Sequence, residues 1–155
     1  MSSKREEKAL FEFKHIMDDL MQLIGRSTGA KTAYLYWVNR SRQQFVLETT
    51  YTVLSNVMFK DRIAFEKFFL NQFRDIRDIV QIDVGNQIQK DELLHYYDRV
   101  PTSHLTMIPF ENNSSTVALT DLETDERLDL KVNENTISAY RNAHMNVLNT
   151  YLELT

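Results

Sequence analysis

The chain has 155 residues, 43% hydrophobic and 26% charged, a balance that supports a globular core and excludes a disordered chain. Its 18 Lys and Arg against 22 Asp and Glu leave a formal charge of −4, so no cationic surplus marks a nucleic-acid binder. With no cysteine and only three glycines, thiol catalysis, Cys-ligated metal and glycine-rich phosphate loops are ruled out.

No repeat, low-complexity tract or linker interrupts the chain, and residues 1–155 read as one domain. The charged start, Met1 to Lys8, leads into an amphipathic pattern and not into a signal-peptide core. The longest uncharged runs, such as Thr49 to Phe59 and Val100 to Phe110, fall well short of the roughly 20 residues a membrane helix needs. The expectation is therefore a soluble, cytoplasmic protein without a membrane or nucleic-acid partner.

The first element predicted is a helix over about 5–26, in which Ala9, Phe13, Ile16, Met17, Leu20, Leu23 and Ile24 recur at three and four; Gly25 and Gly29 mark its end. Ala33 to Asn39 and Phe45 to Tyr51, rich in aromatic and β-branched residues, read as two strands joined by a polar hairpin. Both alternating sets of the first strand are bulky, Ala33/Leu35/Trp37 and Tyr34/Tyr36/Val38, which places it mid-sheet with cover on both faces. Asp61 is read as the N-cap of a helix running to about Asp78, carrying Phe65, Phe68, Phe69, Phe73 and Ile76 inward. A short strand over Ile79 to Val84 and a helix over Asn86 to Arg99, stopped by Pro101, come next.

A second hairpin joins His104–Phe110 to Ser115–Leu122 through Glu111–Ser114, whose asparagines suit a tight turn. Leu128 to Val132 fits either a sixth strand or an irregular lead-in. A closing helix over about 135–153 places Ile137, Tyr140, His144, Val147, Leu148 and Tyr151 on one side.

Three stretches resemble the GAF domain, a small sensory α/β module of signalling proteins, with the PAS-type sensory fold as nearest rival. Thr32-Ala33-Tyr34-Leu35-Tyr36-Trp37-Val38-Asn39 is similar to the family's opening strand. Ser103 to Phe110 followed by Thr116 to Thr120 is similar to its run of small polar, apolar, Pro and apolar residues before a hairpin. Ile137 to Leu152 occupies the place of its terminal helix. The Gly that often opens the penultimate strand is replaced by Ser114-Ser115.

The resemblance implies an α+β fold in α/β/α layers: a central antiparallel sheet of five or six strands, terminal helices on one face, and middle helices closing a pocket over the other within 32–132. It implies a non-catalytic sensory or regulatory role, either binding a small molecule or serving, ligand-free, as an interaction or dimerisation scaffold. The cofactor is unknown. Bilin-attaching and methionine-sulfoxide-reducing members of the family need cysteine, which this chain lacks. The cyclic-nucleotide signature of Asn-Lys, Phe and Asp-Glu has no convincing place here.

For a ligand pocket, Tyr34, Tyr36, Thr106 and Thr120 offer hydroxyls among apolar neighbours, His104 offers a ring nitrogen, and Phe69 and Phe73 offer a roof. Core packing with each polar group satisfied locally is the simpler account of each of these residues. Asp91, His95 and Asp98 share a helix face at i, i+4 and i+7, a spacing compatible with metal but better read as a solvated ion cluster. No metal is expected, and no Ser-His-Asp order or HExxH motif suggests an enzyme. Phe11 and His15 on the first helix, and Met145 and Leu152 on the last, stand off the main apolar stripes. They point to a homodimer packed through the terminal helices, with a signalling partner or output domain beyond it.

Overall fold

The computed structural model describes residues 3–55, 57–84 and 104–154, with side chains described through 150. The predicted helix over Asn86 to Arg99, with Asp91, His95 and Asp98, lies outside the described residues, as does the side chain of Leu152.

Helix α1, Lys4–Thr28, begins at a capping box in which Ser3 Oγ accepts from the Glu6 amide at 3.1 Å and the Glu6 carboxylate accepts from the Ser3 amide. It ends at Gly29, whose φ of 69° is the left-handed conformation a C-cap asks for. Gly25 does not mark the end, as the sequence reading had it. It lies inside the helix, where its bare Cα lets the Tyr51 ring press against the backbone.

Strands β1 (Thr32–Asn39), β2 (Gln44–Thr52), β3 (Arg62–Ala64), β4 (Val80–Asp83), β5 (His104–Asn112) and β6 (Ser115–Thr124) form one antiparallel sheet in the order β3-β2-β1-β6-β5-β4. Helix α2, Glu134–Leu154, follows a turn segment in which Leu128 is buried, so the lead-in after β6 is irregular and not a strand. The β5–β6 turn carries Asn113 and Ser114 at φ of 49° and 68°, the tight turn that Asn favours.

The sequence reading fails over 61–78. In place of an α-helix capped by Asp61, the chain forms β3 and two 3₁₀ turns, Phe65–Lys67 and Phe69–Phe73. Phe68, Phe69 and Leu70 are consecutive and all buried, together with Ile63 and Phe65. On an α-helix three consecutive residues fan over about 200°, so no single face accommodates them. Short turns turn all of them toward the sheet. Asp61 spends its carbonyl on the Leu47 amide at 2.8 Å.

β1 is central and separates two cores. Ala33 and Leu35 pack with Phe13, Met17, Met21 and Ile24 of α1, Ile108 and Phe110 of β5, and Ile137, Tyr140 and Leu148 of α2. Tyr34 and Tyr36 pack on the opposite face with Phe45, Ile63, Phe65, Phe68, Phe69, Leu105, Met107 and Leu119. Pairing Leu35 with Thr49 but Tyr36 with Leu47 leaves Glu48 as a bulge, which reverses the facing of β2 between its two halves. Phe45 and Leu47 therefore join the aromatic core, whereas Tyr51 joins the helix-side core. At the bulge the Glu48 carboxylate takes the Trp37 indole N–H at 3.1 Å, while Lys14 of α1 donates to both the carboxylate and the backbone carbonyl of Glu48.

The two helices run antiparallel. Phe13 near the start of α1 stacks on Trp37 near the end of β1, and Gly25 meets Tyr51, the register partner of Ala33. Along α2 the order is reversed, with Tyr140 bonded to Thr120, the partner of Leu35, before His144 beside Trp37. Among the described residues, no helix is long and apolar enough to cross a membrane.

Candidate functional site

The sheet face away from the helices carries the least expected chemistry. On β6, Leu119 belongs to the aromatic core, and alternation puts Asp121 and Glu123 on that same face. Both acids are fully buried. Asp121 stands opposite Tyr34 in the β1–β6 register, and the Tyr34 hydroxyl donates to Asp121 Oδ2 at 2.5 Å. Asp121 Oδ1 is buried and has no hydrogen-bond partner among the described residues.

Burial pushes the Asp121 carboxyl up to about 7, against the lowering effect of the Tyr34 hydrogen bond. The Tyr34 phenol is raised well above its ordinary value, first by burial and then by the charges of Asp121 and Glu123, so it serves as a neutral donor. Tyr36 is raised as well, by burial, Asp61 and Glu123, and its hydroxyl donates to the Lys60 carbonyl at 2.7 Å. Around the acids stands an aromatic wall. The Tyr34 ring lies 5.4 Å from Tyr36 and 5.6 Å from Phe59, and Tyr36 lies 5.0 Å from Phe68 in an edge-to-face contact.

The structure divides the pocket residues expected from sequence. Tyr34, Tyr36, Phe69 and the half-buried Phe73 gather in the aromatic core. Thr106 and Thr120 face the helices: the Thr120 hydroxyl lies 2.8 Å from that of Tyr140, and Thr106 Oγ1 accepts from Gln81 at 3.2 Å. His104 pairs through Nδ1 with Asp83 Oδ1 at 2.6 Å on that same helix side. Sequence reasoning missed Asp121 and Glu123. The signal was present in Leu119-Thr120-Asp121-Leu122-Glu123, where a strand with apolar residues in both alternating sets also places two acids at inward positions.

The helix side holds a second buried titratable group. His144 of α2 is fully buried, stacks on Phe110 at 3.9 Å, and lies 6.1 Å from Trp37. Neither ring nitrogen has a partner among the described residues, and burial lowers its pKa to about 4. It is a neutral core ring.

Of the residues expected to dimerise, Phe11 is 72% exposed and stacks on the exposed His15 at 6.2 Å. Met145 is instead half-buried and packs against the helix-side core. Leu10, Ile16 and Leu23 are further exposed apolar residues of α1, and Ile16 lines a groove against Val147 and Thr150 of α2. Among the described residues no group of three or more potential ligands is placed to hold a metal.

No family model matches the chain, and no curated protein does. Solved structures do. A methyl-accepting chemotaxis protein, residues 122 to 287, superposes with a TM-score of 0.70 at 8% identity, covering 98% of this chain and 99% of that one. The GAF domain of an Acinetobacter phosphoenolpyruvate-protein phosphotransferase gives 0.68 at 10% identity, covering 100% and 98%. A type II free methionine-R-sulfoxide reductase from Thermoplasma acidophilum gives 0.66 at 13% identity, covering 96% and 97%. The fold is GAF-like, and domains of this fold serve both signalling proteins and enzymes.

Proposed function

We propose that this chain is a single, non-catalytic, cytoplasmic sensory or regulatory module that holds a small molecule against the aromatic and acidic face of its sheet. The observation that carries this reading is Asp121, a fully buried carboxylate with one oxygen engaged by Tyr34 and the other unengaged among the described residues. Leaving such an atom desolvated costs on the order of 1–3 kcal/mol, which a fold held together by core packing alone has no need to carry. Neighbours in a methyl-accepting chemotaxis protein, a phosphoenolpyruvate-protein phosphotransferase and a two-component sensor histidine kinase support a signalling context with a partner or output domain. The reductase neighbours are enzymes, but thiol-based sulfoxide reduction has no residue to run on in a chain without cysteine.

A second element of the reading is pairing of two copies through the terminal helices. It is supported by the exposed Leu10, Phe11, Ile16 and Leu23 on α1 and by the apolar groove that Ile16 and Val147 line between the helices. In such a pair, occupancy of the sheet face biases the relative position of the helices.

The test is native mass spectrometry of protein purified from its own host, with a thermal-shift screen of small molecules. A ligand at 100 times its dissociation constant adds roughly 2.7 kcal/mol, or about 5–10 °C for a domain of this size. If nothing is retained and nothing shifts the transition, the module is a ligand-free scaffold. Light scattering at micromolar concentration that finds only an 18.3 kDa species removes the dimer.

A further inference from the structure

We propose that the hollow beside Arg141, on the helix side of the sheet, is a second ligand site that takes a small monocarboxylate with an apolar tail. It stands on α2, across the sheet from Asp121, and is independent of what the aromatic face holds.

Among the described residues two arginines are half-buried, Arg74 and Arg141, and the others are exposed. Arg74 meets the Asp75 carboxylate at 3.6 Å. Arg141 meets no acid: it donates to the Pro109 carbonyl at 3.2 Å, and the rest of its N–H fork is unused among the described residues. A charge drawn partly out of water is stabilised by an opposite charge beside it, and here the described residues supply none.

The hollow measures about 360 Å³. Its apolar lining comes from three places: Ile79 just before β4, Leu130 in the lead-in to α2, and the buried Ile137 one helical turn before Arg141. Lys131 and Ser138 add an ammonium and a hydroxyl, neither engaged among the described residues. Asp129 leaves the Lys131 ammonium unpaired, because its Oδ1 accepts from the backbone amides of Lys131 and Val132 at 3.0 Å each.

The charge count selects the ligand. Arg141 and Lys131 against Glu134 leave the lining one positive charge, which suits a monoanion better than a phosphate dianion. A carboxylate offers two coplanar oxygens to the planar guanidinium fork, and a hydrocarbon tail finds Ile79, Leu130 and Ile137. A second hollow of about 350 Å³ reaches Arg141 from the side of Pro109 and Phe110, but Glu111 lines it and repels an acid.

The experiment titrates the ¹⁵N-labelled full chain with hexanoate and 3-phenylpropionate. Hexanamide, 3-phenylpropanamide, acetate and inorganic phosphate run in parallel. The two tailed acids should shift the Arg141 Nε–H signal and the amides of 130–141, and their neutral amides should not. Arg141→Gln should weaken binding 10-fold or more, and Glu134→Gln, which removes a like charge, should tighten it by about 2-fold. Lys131→Gln, expected to weaken binding by about 2-fold, serves should Arg141→Gln lose its native circular dichroism. Equal response to an acid and its amide overturns the proposal, as does unchanged affinity in the folded variant or phosphate binding as tight as that of the tailed acids. Shifts centred on Tyr34 and Asp121 would move the acids to the other face and overturn it too. Silence from every probe overturns this site and leaves the reading of the aromatic face standing.

Discussion

Replacing Gly25 by Ala sets helix propensity against packing, and the structure decides which wins. In an exposed helix the substitution stabilises by about 0.8–1 kcal/mol. Here an added Cβ meets Cδ1, Cγ and Cε1 of Tyr51 at 2.2, 2.6 and 2.7 Å. Carbon atoms rest at about 3.5–4.0 Å, so the ring or the helix must move by about an ångström. The ring has little freedom to do so: Tyr51 is 9% exposed, its strand is hydrogen-bonded to β1, and the overlap includes Cγ, where the ring is attached. Overpacking of this kind costs about 1–3 kcal/mol, and an overlap this deep belongs at the upper end. Gly25→Ala should then destabilise by about 1–2 kcal/mol net and lower the melting temperature by about 2–8 °C. Urea unfolding of the wild type, Gly25→Ala, Tyr51→Ala and the double variant completes a cycle. Without the Tyr51 ring, the same alanine should stabilise by close to its propensity value. A Gly25→Ala protein that melts above the wild type, or an alanine effect of the same sign in both backgrounds, refutes the argument.

The pH dependence of stability should contain two opposed contributions that variants separate. His144 is held neutral in the fold with a pKa near 4 against about 6.5 unfolded, so the unfolded chain binds more protons between those values and stability falls as pH drops from 6.5 to 4. The loss is about 3 kcal/mol across that window, and urea midpoints of His144→Leu should show a flatter profile there. Asp121 acts in the opposite direction: its folded pKa of about 7 lies above the unfolded value of 3.8, so its contribution is present below 3.8 and is lost as pH rises to 7. Asp121→Asn should gain stability relative to the wild type as pH rises from 4 to 7, and a parallel pair of profiles would contradict this. Tyr34→Phe removes the hydroxyl that engages Asp121 Oδ2 and should cost about 1–3 kcal/mol in thermal unfolding at pH 7. Ser3→Ala breaks the capping box of α1 and should lower stability by about 0.5–2 kcal/mol, read by urea unfolding.

What sequence conveyed and what it withheld divide along physical lines. The two-sided bulk of Ala33 to Val38 is a local property of a central strand, and the structure puts β1 between two cores accordingly. The positive φ of Asn113 is equally local. The bulge at Glu48 is not, because it depends on how β2 pairs with β1. An unbroken alternation would have put Phe45, Leu47, Thr49 and Tyr51 on one face. The phenylalanine-rich run failed for a related reason, since regular α-helix geometry could not bury Phe68, Phe69 and Leu70 at once. Thr106 and Thr120 sit apart from Tyr34, on the helix side, and sequence does not separate them, because a strand has two faces and alternation alone does not say which one looks toward the helices. Asp121 and Glu123 were legible in principle as acids at inward positions of a buried strand.

The antiparallel course of α1 and α2 has a mechanical meaning. The first turn of one helix and the last turn of the other emerge at the same pole of the sheet, near Trp37. Tension applied through those two turns pries the helices apart like a zip, loading one contact at a time. Tethering the domain by these ends should make it a compliant joint that opens at low force, where a protein gripped at opposite poles would hold in shear.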